Sequence, residues 1–240
     1  MILAELNQEQ TENLNHMTAI LPIGATEVHG NHLPVGTDIF LADNVAKKLE
    51  LRLGTENALL LPVISYGQVW SLEKAPGSVH IPEDILSEYI YYIGKSVINM
   101  GIKKLAIVNS HVGNLGAIKT AARKLSVDNS IKTYYFTYPG SEKVIQEVCE
   151  APAPHKGYFH ACEIETSYML YLCPDKVDMT KAICQYPEFP EEFDYTPIKW
   201  TDLMKTAVLG DATKATAEKG QKIIEASIDR MAKILMEDSK

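Results

Sequence analysis

Apolar and polar positions divide this chain into a repeated unit. A short uninterrupted apolar run is followed by a polar loop and then by a longer segment with apolar residues at helical spacing. The first run covers residues 18–24, and continuous apolar character over that length reads as a strand buried on both faces. Residues 39–49 carry apolar side chains at Ile39, Leu41, Val45 and Leu49, the spacing of a helix with one buried face. A second apolar run, 57–67, opens into a loop containing Pro76, Gly77 and Ser78. Pro82 then introduces a helix with Glu83 and Asp84 in its first turn, both favoured there. It runs through Leu86, Tyr89, Ile90, Ile93 and Val97 to Gly101. The third run, 104–109, leads into Ser110 and His111, followed by a helix over 115–125 and a fourth strand over 132–138.

Beyond Pro139 the pattern loosens. Residues 151–159 read as a loop, and a helix is predicted from about 161 to 172, stopping before Pro174. Residues 185–197 are rich in proline, glutamate and aromatics and read as a surface excursion near a site or a subunit contact. A long amphipathic helix over about 215–236 closes the chain, and the first fifteen residues read as a lead-in or short helix. The strand–loop–helix rhythm predicts an α/β fold with a mainly parallel sheet covered on both faces by helices. No repeat, low-complexity tract or linker divides it, so residues 1–240 read as one domain.

Composition narrows the function classes. Across 240 residues the net charge is −8, which argues against a nucleic-acid backbone as partner. No apolar run is long enough to span a bilayer. The first residues lack the basic-then-apolar pattern of a secretory signal. The four cysteines, Cys149, Cys162, Cys173 and Cys184, include no CxxC pair and are expected as free thiols. The cytoplasm is the expected compartment.

Candidate chemistry concentrates where the predicted strands end. Glu27, His29, His32 and Asp38 fall within a dozen residues between the first strand and the first helix. Glu27 and His29 alternate, so in an extended segment both point to one face, and Asp38 at the start of the helix can fold back over the same point. His111 follows the third strand directly, and the carboxyl ends of parallel strands converge on one edge of the sheet. Imidazole and carboxylate donors together suit Zn, Mn or Fe(II), and a carboxylate with two oxygens can bridge two ions. His32, on the opposite parity from His29, is not expected to be a ligand. A third group is His160, Glu163 and Glu165 at a predicted helix start. A hydrolase working through metal-activated water needs a base and an acid, and His160 with one of the two glutamates supplies candidates. Cys162 lacks an evident partner base and reads as packed, not nucleophilic.

Three segments together resemble the creatininase family of metal-dependent hydrolases. They are residues 21–34 with Thr37 and Asp38, residues 109–114, and residues 160–167. Weaker agreement comes from Tyr66 and Gly67 with residues 76–78, and from residues 210–213 with Lys219 and Gly220. The resemblance implies a three-layer α/β/α sandwich, usually assembled as a hexamer built from dimers. It also implies a binuclear Zn, Mn or Fe centre that hydrolyses C–N bonds of cyclic or linear amides. Glu27, His29, Asp38 and His111 fall on its metal-ligand positions, with Asp38 as the bridge, and His160 on a position implicated in proton transfer. The family also includes a formamide hydrolase, a peptidase maturing a redox peptide, and a hydrolase opening an oxidised inositol ring. The expected activity is therefore hydrolysis of an amide in a small cyclic or formylated metabolite. Cleavage of a C–C bond in a cyclic diketo-inositol or keto-sugar is the alternative, and a non-catalytic metal-containing binding protein a third. Creatinine-specific members carry a glutamate ligand two residues after the distal histidine, where this chain has Gly113. They also place tryptophans near the substrate, whereas Trp70 and Trp200 lie outside the matching segments. Creatinine is thus not the expected substrate, and Glu165 or Glu163 is the expected source of the missing ligand.

Overall fold

The computed structural model describes residues 1–127 and 130–238. Four strands form one parallel sheet in the order β2-β1-β3-β4: β1 Thr18–Ile23, β2 Ala58–Leu60, β3 Lys104–Asn109 and β4 Lys132–Phe136. The uninterrupted apolar runs are explained by alternation. Along β1 and β3, Ile20, Ala106 and Val108 enter one core, while Ala19, Leu21, Leu105 and Ile107 enter the other. The first core is closed by α1 (Thr37–Leu53), α5 (Glu163–Leu172) and α6 (Ala217–Glu237), the second by α2 (Glu83–Asn99) and α3 (Leu115–Ser126). The result is an α/β/α sandwich with a parallel central sheet, as the rhythm predicts.

Strand order reverses at β1, which pairs with β2 on one side and β3 on the other. The crevice beyond the carboxyl ends of β1 and β3 is the position at which open α/β sheets bind ligands. Gly24 brings the next element close to it. A Cβ there would stand 2.6 Å from the backbone carbonyl of Asp38, so only glycine lets the first turn of α1 press onto the strand end.

Three expectations are modified. The run 57–67 yields only a three-residue strand, because Pro62 has no N–H to donate and pairing resumes at a single bridge, Ile64 to Ile23. A seven-residue helix, α4 (Glu142–Val148), occupies the loosened stretch and is too short to show periodicity in sequence. Helix α5 begins at Glu163, two residues later than its pattern predicts, because Ala161 takes a left-handed φ of 48° and Cys162 is extended. Residues 184–185 (β5) pair antiparallel with residues 210–211 (β6). The remainder of the excursion is irregular, with Phe189 and Phe193 packed edge-on against His155. All four cysteines are free, and no described helix is long and apolar enough to cross a membrane.

Candidate metal centre

Four chain segments deliver donors to the switch-point crevice. Glu27 and His29 come from the loop after β1, Asp38 from the first turn of α1, His111 from the residue pair after β3, and Glu165 from the first turn of α5. Asp38 stands between the two histidines with a different oxygen toward each. Its Oδ1 lies 3.4 Å from His29 Nε2, and its Oδ2 lies 3.2 Å from His111 Nδ1. Glu27 Oε1 is 3.0 Å from the same His111 nitrogen. Three overlapping sets bring their donor atoms within 4.8 Å of one another: Glu27–Asp38–His111, His29–Asp38–Glu165 and Glu27–His29–His160. Donors about 2.0–2.2 Å from a common tetrahedral ion stand roughly 3.3–3.6 Å apart, close to the separations around Asp38.

The backbone sets the orientation of each histidine. His29 Nδ1 lies 3.1 Å from the Glu27 carbonyl, His111 Nε2 2.8 Å from that of Gln68, and His160 Nε2 2.8 Å from that of Val28. A carbonyl only accepts, so each of these ring nitrogens carries the proton, and the other one turns a lone pair into the centre. There it meets carboxylate oxygens, which are also acceptors. Glu27 Oε1, His29 Nε2 and both oxygens of Asp38 are buried without a hydrogen-bond partner. Acceptors facing acceptors in a buried place need a cation between them. With protons as the only cations, burial alone would push His29 down, but the Asp38 carboxylate outweighs it and lifts His29 to about 9. His111 is raised in the same way, burial being overcome by Glu27 and Asp38. The donor types, their orientation and the excess of negative charge all fit divalent metal.

His160 behaves differently. Burial and the neighbouring His29 charge push it down to about 4, so its ring is neutral at neutral pH. Its Nδ1 is 3.8 Å from Glu27 and 4.0 Å from Glu165, and its ring lies 4.2 Å from that of His29. Glu165 is raised to about 7 by burial, despite the pull of His29. Its Oε2 accepts from the backbone N–H of Ala161 at 2.5 Å, a contact made by the left-handed turn at that residue.

Glu163 does not join the centre, which corrects its expected acid–base role. Its buried carboxylate turns the other way, accepts from the backbone N–H groups of Glu150 and Ala151, and pairs with Lys219 Nζ at 2.6 Å. Its work is to anchor the segment leading to His160. Two residues apart on a helix, the two glutamates diverge, and the structure decides which one faces inward. His32 lies outside the three donor sets, with Nε2 2.9 Å from Thr166 Oγ1. Burial raises the Cys162 thiol far above its ordinary range, leaving it inert.

Gly113 has a steric reason. A Cβ there would fall 2.4 Å from the Gln68 carbonyl oxygen and 2.4 Å from His111 Nε2, the two atoms of the hydrogen bond that orients His111. Gly113→Ala is expected to break this bond and weaken metal retention about 10- to 100-fold, the usual cost of losing such a partner. Metal titration of the variant by calorimetry checks this, and unchanged affinity would show that the carbonyl does not matter.

A cavity of about 280 Å³ opens onto Glu27, His111, His160 and Glu165. Tyr158, Phe159 and Trp200 form its aromatic side, and Gln68, Ser71 and Val112 line it elsewhere. Trp200 stands 5.8 Å from His160. Lys199 ties this wall to the opposite rim. Its Nζ sits 3.8 Å from the Trp70 ring centre, donates to the Trp70 carbonyl at 2.9 Å and pairs with Glu73 at 2.5 Å. Sequence spacing gives no reason to place Trp200 or the Gln68 carbonyl here. The aromatic density of the excursion just before Trp200 points this way, and Trp200 in the cavity wall corrects the expectation, drawn from its lying outside the matching segments, that the site lacks a tryptophan.

Residues 4–235 match the family described as creatininase, creatinine amidohydrolase. The mycofactocin precursor peptide peptidase of Mycobacterium tuberculosis is 29% identical over 228 residues, spanning 88% of this chain and 81% of that protein. The creatinine amidohydrolase of Pseudomonas putida is 27% identical over 234 residues, spanning 91% and 88%. The solved manganese form of creatininase superposes with a TM-score of 0.81 at 25% identity, over 99% of this chain and 98% of that one. With the family match running almost end to end and the fold agreeing over the same span, this chain belongs to the creatininase family.

Proposed function

We propose that this protein is a binuclear metal-dependent amidohydrolase acting on a C–N bond of a small cyclic or formylated metabolite. The observation that carries the reading is the pair of donor sets sharing Asp38 through its two different oxygens. Glu27, Asp38 and His111 would hold one ion and His29, Asp38 and Glu165 the other, with Zn, Mn or Fe suited to the mixed nitrogen and oxygen donors. When bound, such ions polarise a carbonyl and lower the pKa of water. Glu165 thereby supplies the ligand that Gly113 lacks.

The remaining residues bind, orient and move protons. His160 is neutral, pinned through Nε2 and open at Nδ1 toward the cavity side of the centre, so it takes a proton at Nδ1 and returns it to the departing nitrogen. Trp200, Tyr158 and Phe159 offer a flat apolar wall to a planar ring, and the Gln68 and Ser71 side chains a polar one. No lysine or arginine lines the cavity among the described residues, which favours an uncharged substrate over a phosphorylated one. The homo-oligomer implied by the family resemblance, a hexamer, is part of the same reading.

Stripping the protein with a chelator is expected to abolish turnover, and adding back Mn or Zn to restore it. The assay is a panel of cyclic amides, formamides and cyclic diketones. Turnover confined to the diketones would move the reaction to C–C cleavage. A fully metallated protein inactive on every member would leave the binding-protein reading standing.

A further inference from the structure

We propose that the outer face of α2 is a twofold interface with a second copy of this chain, paired antiparallel. The proposal specifies the contact within the homo-oligomer reading above and is independent of the metal centre. Ile85, Tyr89 and Tyr92 follow one another at helical spacing and are all more than half exposed, Tyr92 at 64%. Tyr66, 53% exposed, rims a groove beside them that also takes in Val63 and Ile81. Isolated apolar residues on a surface are ordinary, but a continuous stripe with a groove along it marks a contact.

Charge identifies the occupant. Asp84 lies near the start of the stripe and Lys95 near its end, about three turns apart and therefore on the same flank of the helix. Neither forms an ion pair within the chain among the described residues. Antiparallel pairing about a twofold axis brings the same flank of both helices together. With the axis near Ile90, Asp84 of each copy faces Lys95 of the other, Ile85 faces Ser96, and Tyr89 faces Tyr92. All these pairs are centred on Ile90 to within about half a residue. A parallel pairing would set like charges opposite each other. One helix therefore carries both halves of a self-complementary surface. The contact also borders the segment holding Gln68, whose carbonyl orients His111.

Sedimentation of the full-length protein over about 1–100 µM tests this. The wild type should associate. Tyr92→Glu, at an exposed position and with its fold checked by circular dichroism, should raise the dissociation constant of the smallest assembly step at least about 100-fold. Asp84→Lys should weaken association about tenfold, and Asp84→Lys with Lys95→Glu should recover it. A wild type monomeric throughout overturns the oligomer and this interface together. A Tyr92→Glu variant that assembles normally overturns this face while leaving the oligomer. A double swap no better than the single one overturns the antiparallel register.

Discussion

Asp38→Ala is expected to remove both ions from the protein while leaving it folded. The side chain is 1% exposed, and its two oxygens face different histidines, so its loss reduces two three-residue donor sets to pairs in one step. Supporting residues around a metal cost 10- to 100-fold in affinity when lost, and a shared direct ligand should cost more than about 100-fold at each site. Turnover should fall at least about a thousandfold, roughly 4 kcal/mol of barrier. The fold should survive because Asp38 is a short side chain at a helix start, outside both large apolar cores. Metal stoichiometry by mass spectrometry together with a thermal melt checks the prediction. Two ions per chain remaining would refute the bridge, and one remaining would show that Asp38 serves a single site.

The second large effect is at Glu165. Glu165→Gln keeps an oxygen for the Ala161 N–H but loses the charge, so the ion of the His29–Asp38–Glu165 set should dissociate while that of Glu27–Asp38–His111 stays. The expected stoichiometry is one ion per chain, with turnover down about 100- to 1000-fold. Adding Gly113→Glu to this variant should not rescue it. A side chain at position 113 cannot enter without displacing the Gln68 carbonyl that holds His111. Rescue of the second ion by the glutamate at 113 would show that the loop adapts and that Glu165 is dispensable. Two ions in Glu165→Gln alone would remove it from the centre.

These two residues differ in how far their neighbours in sequence reveal them. Asp38 announces itself: it follows a strand and a histidine-rich loop and opens a helix, and each of those features is local. Glu165 does not, because Glu163 beside it has the same chemistry and an equal claim on a helix N-terminus. What separates them is a left-handed turn at Ala161 that rotates the start of α5, and a lysine from α6 that captures Glu163. Trp200 is a similar case, since its place in the cavity wall depends on an irregular excursion folding back across the sheet edge and being tied down through Lys199.

Local patterns in the chain are enough for the parallel sheet, its two helical layers and the donors that directly follow β1 and β3. Apolar periodicity and the polarity of parallel strands place those residues at one edge, whatever the long loops do. Contacts between residues far apart in sequence settle the rest: which glutamate faces the centre, which ring nitrogen of each histidine is free, why position 113 must be glycine, and what walls the cavity. Each of those depends on where a backbone carbonyl or a distant side chain comes to rest, and no spacing rule carries that information. The Glu27-to-Asp38 stretch supplies three of the five donors in the two sets that share Asp38, but only the folded chain brings His111 and Glu165 to them.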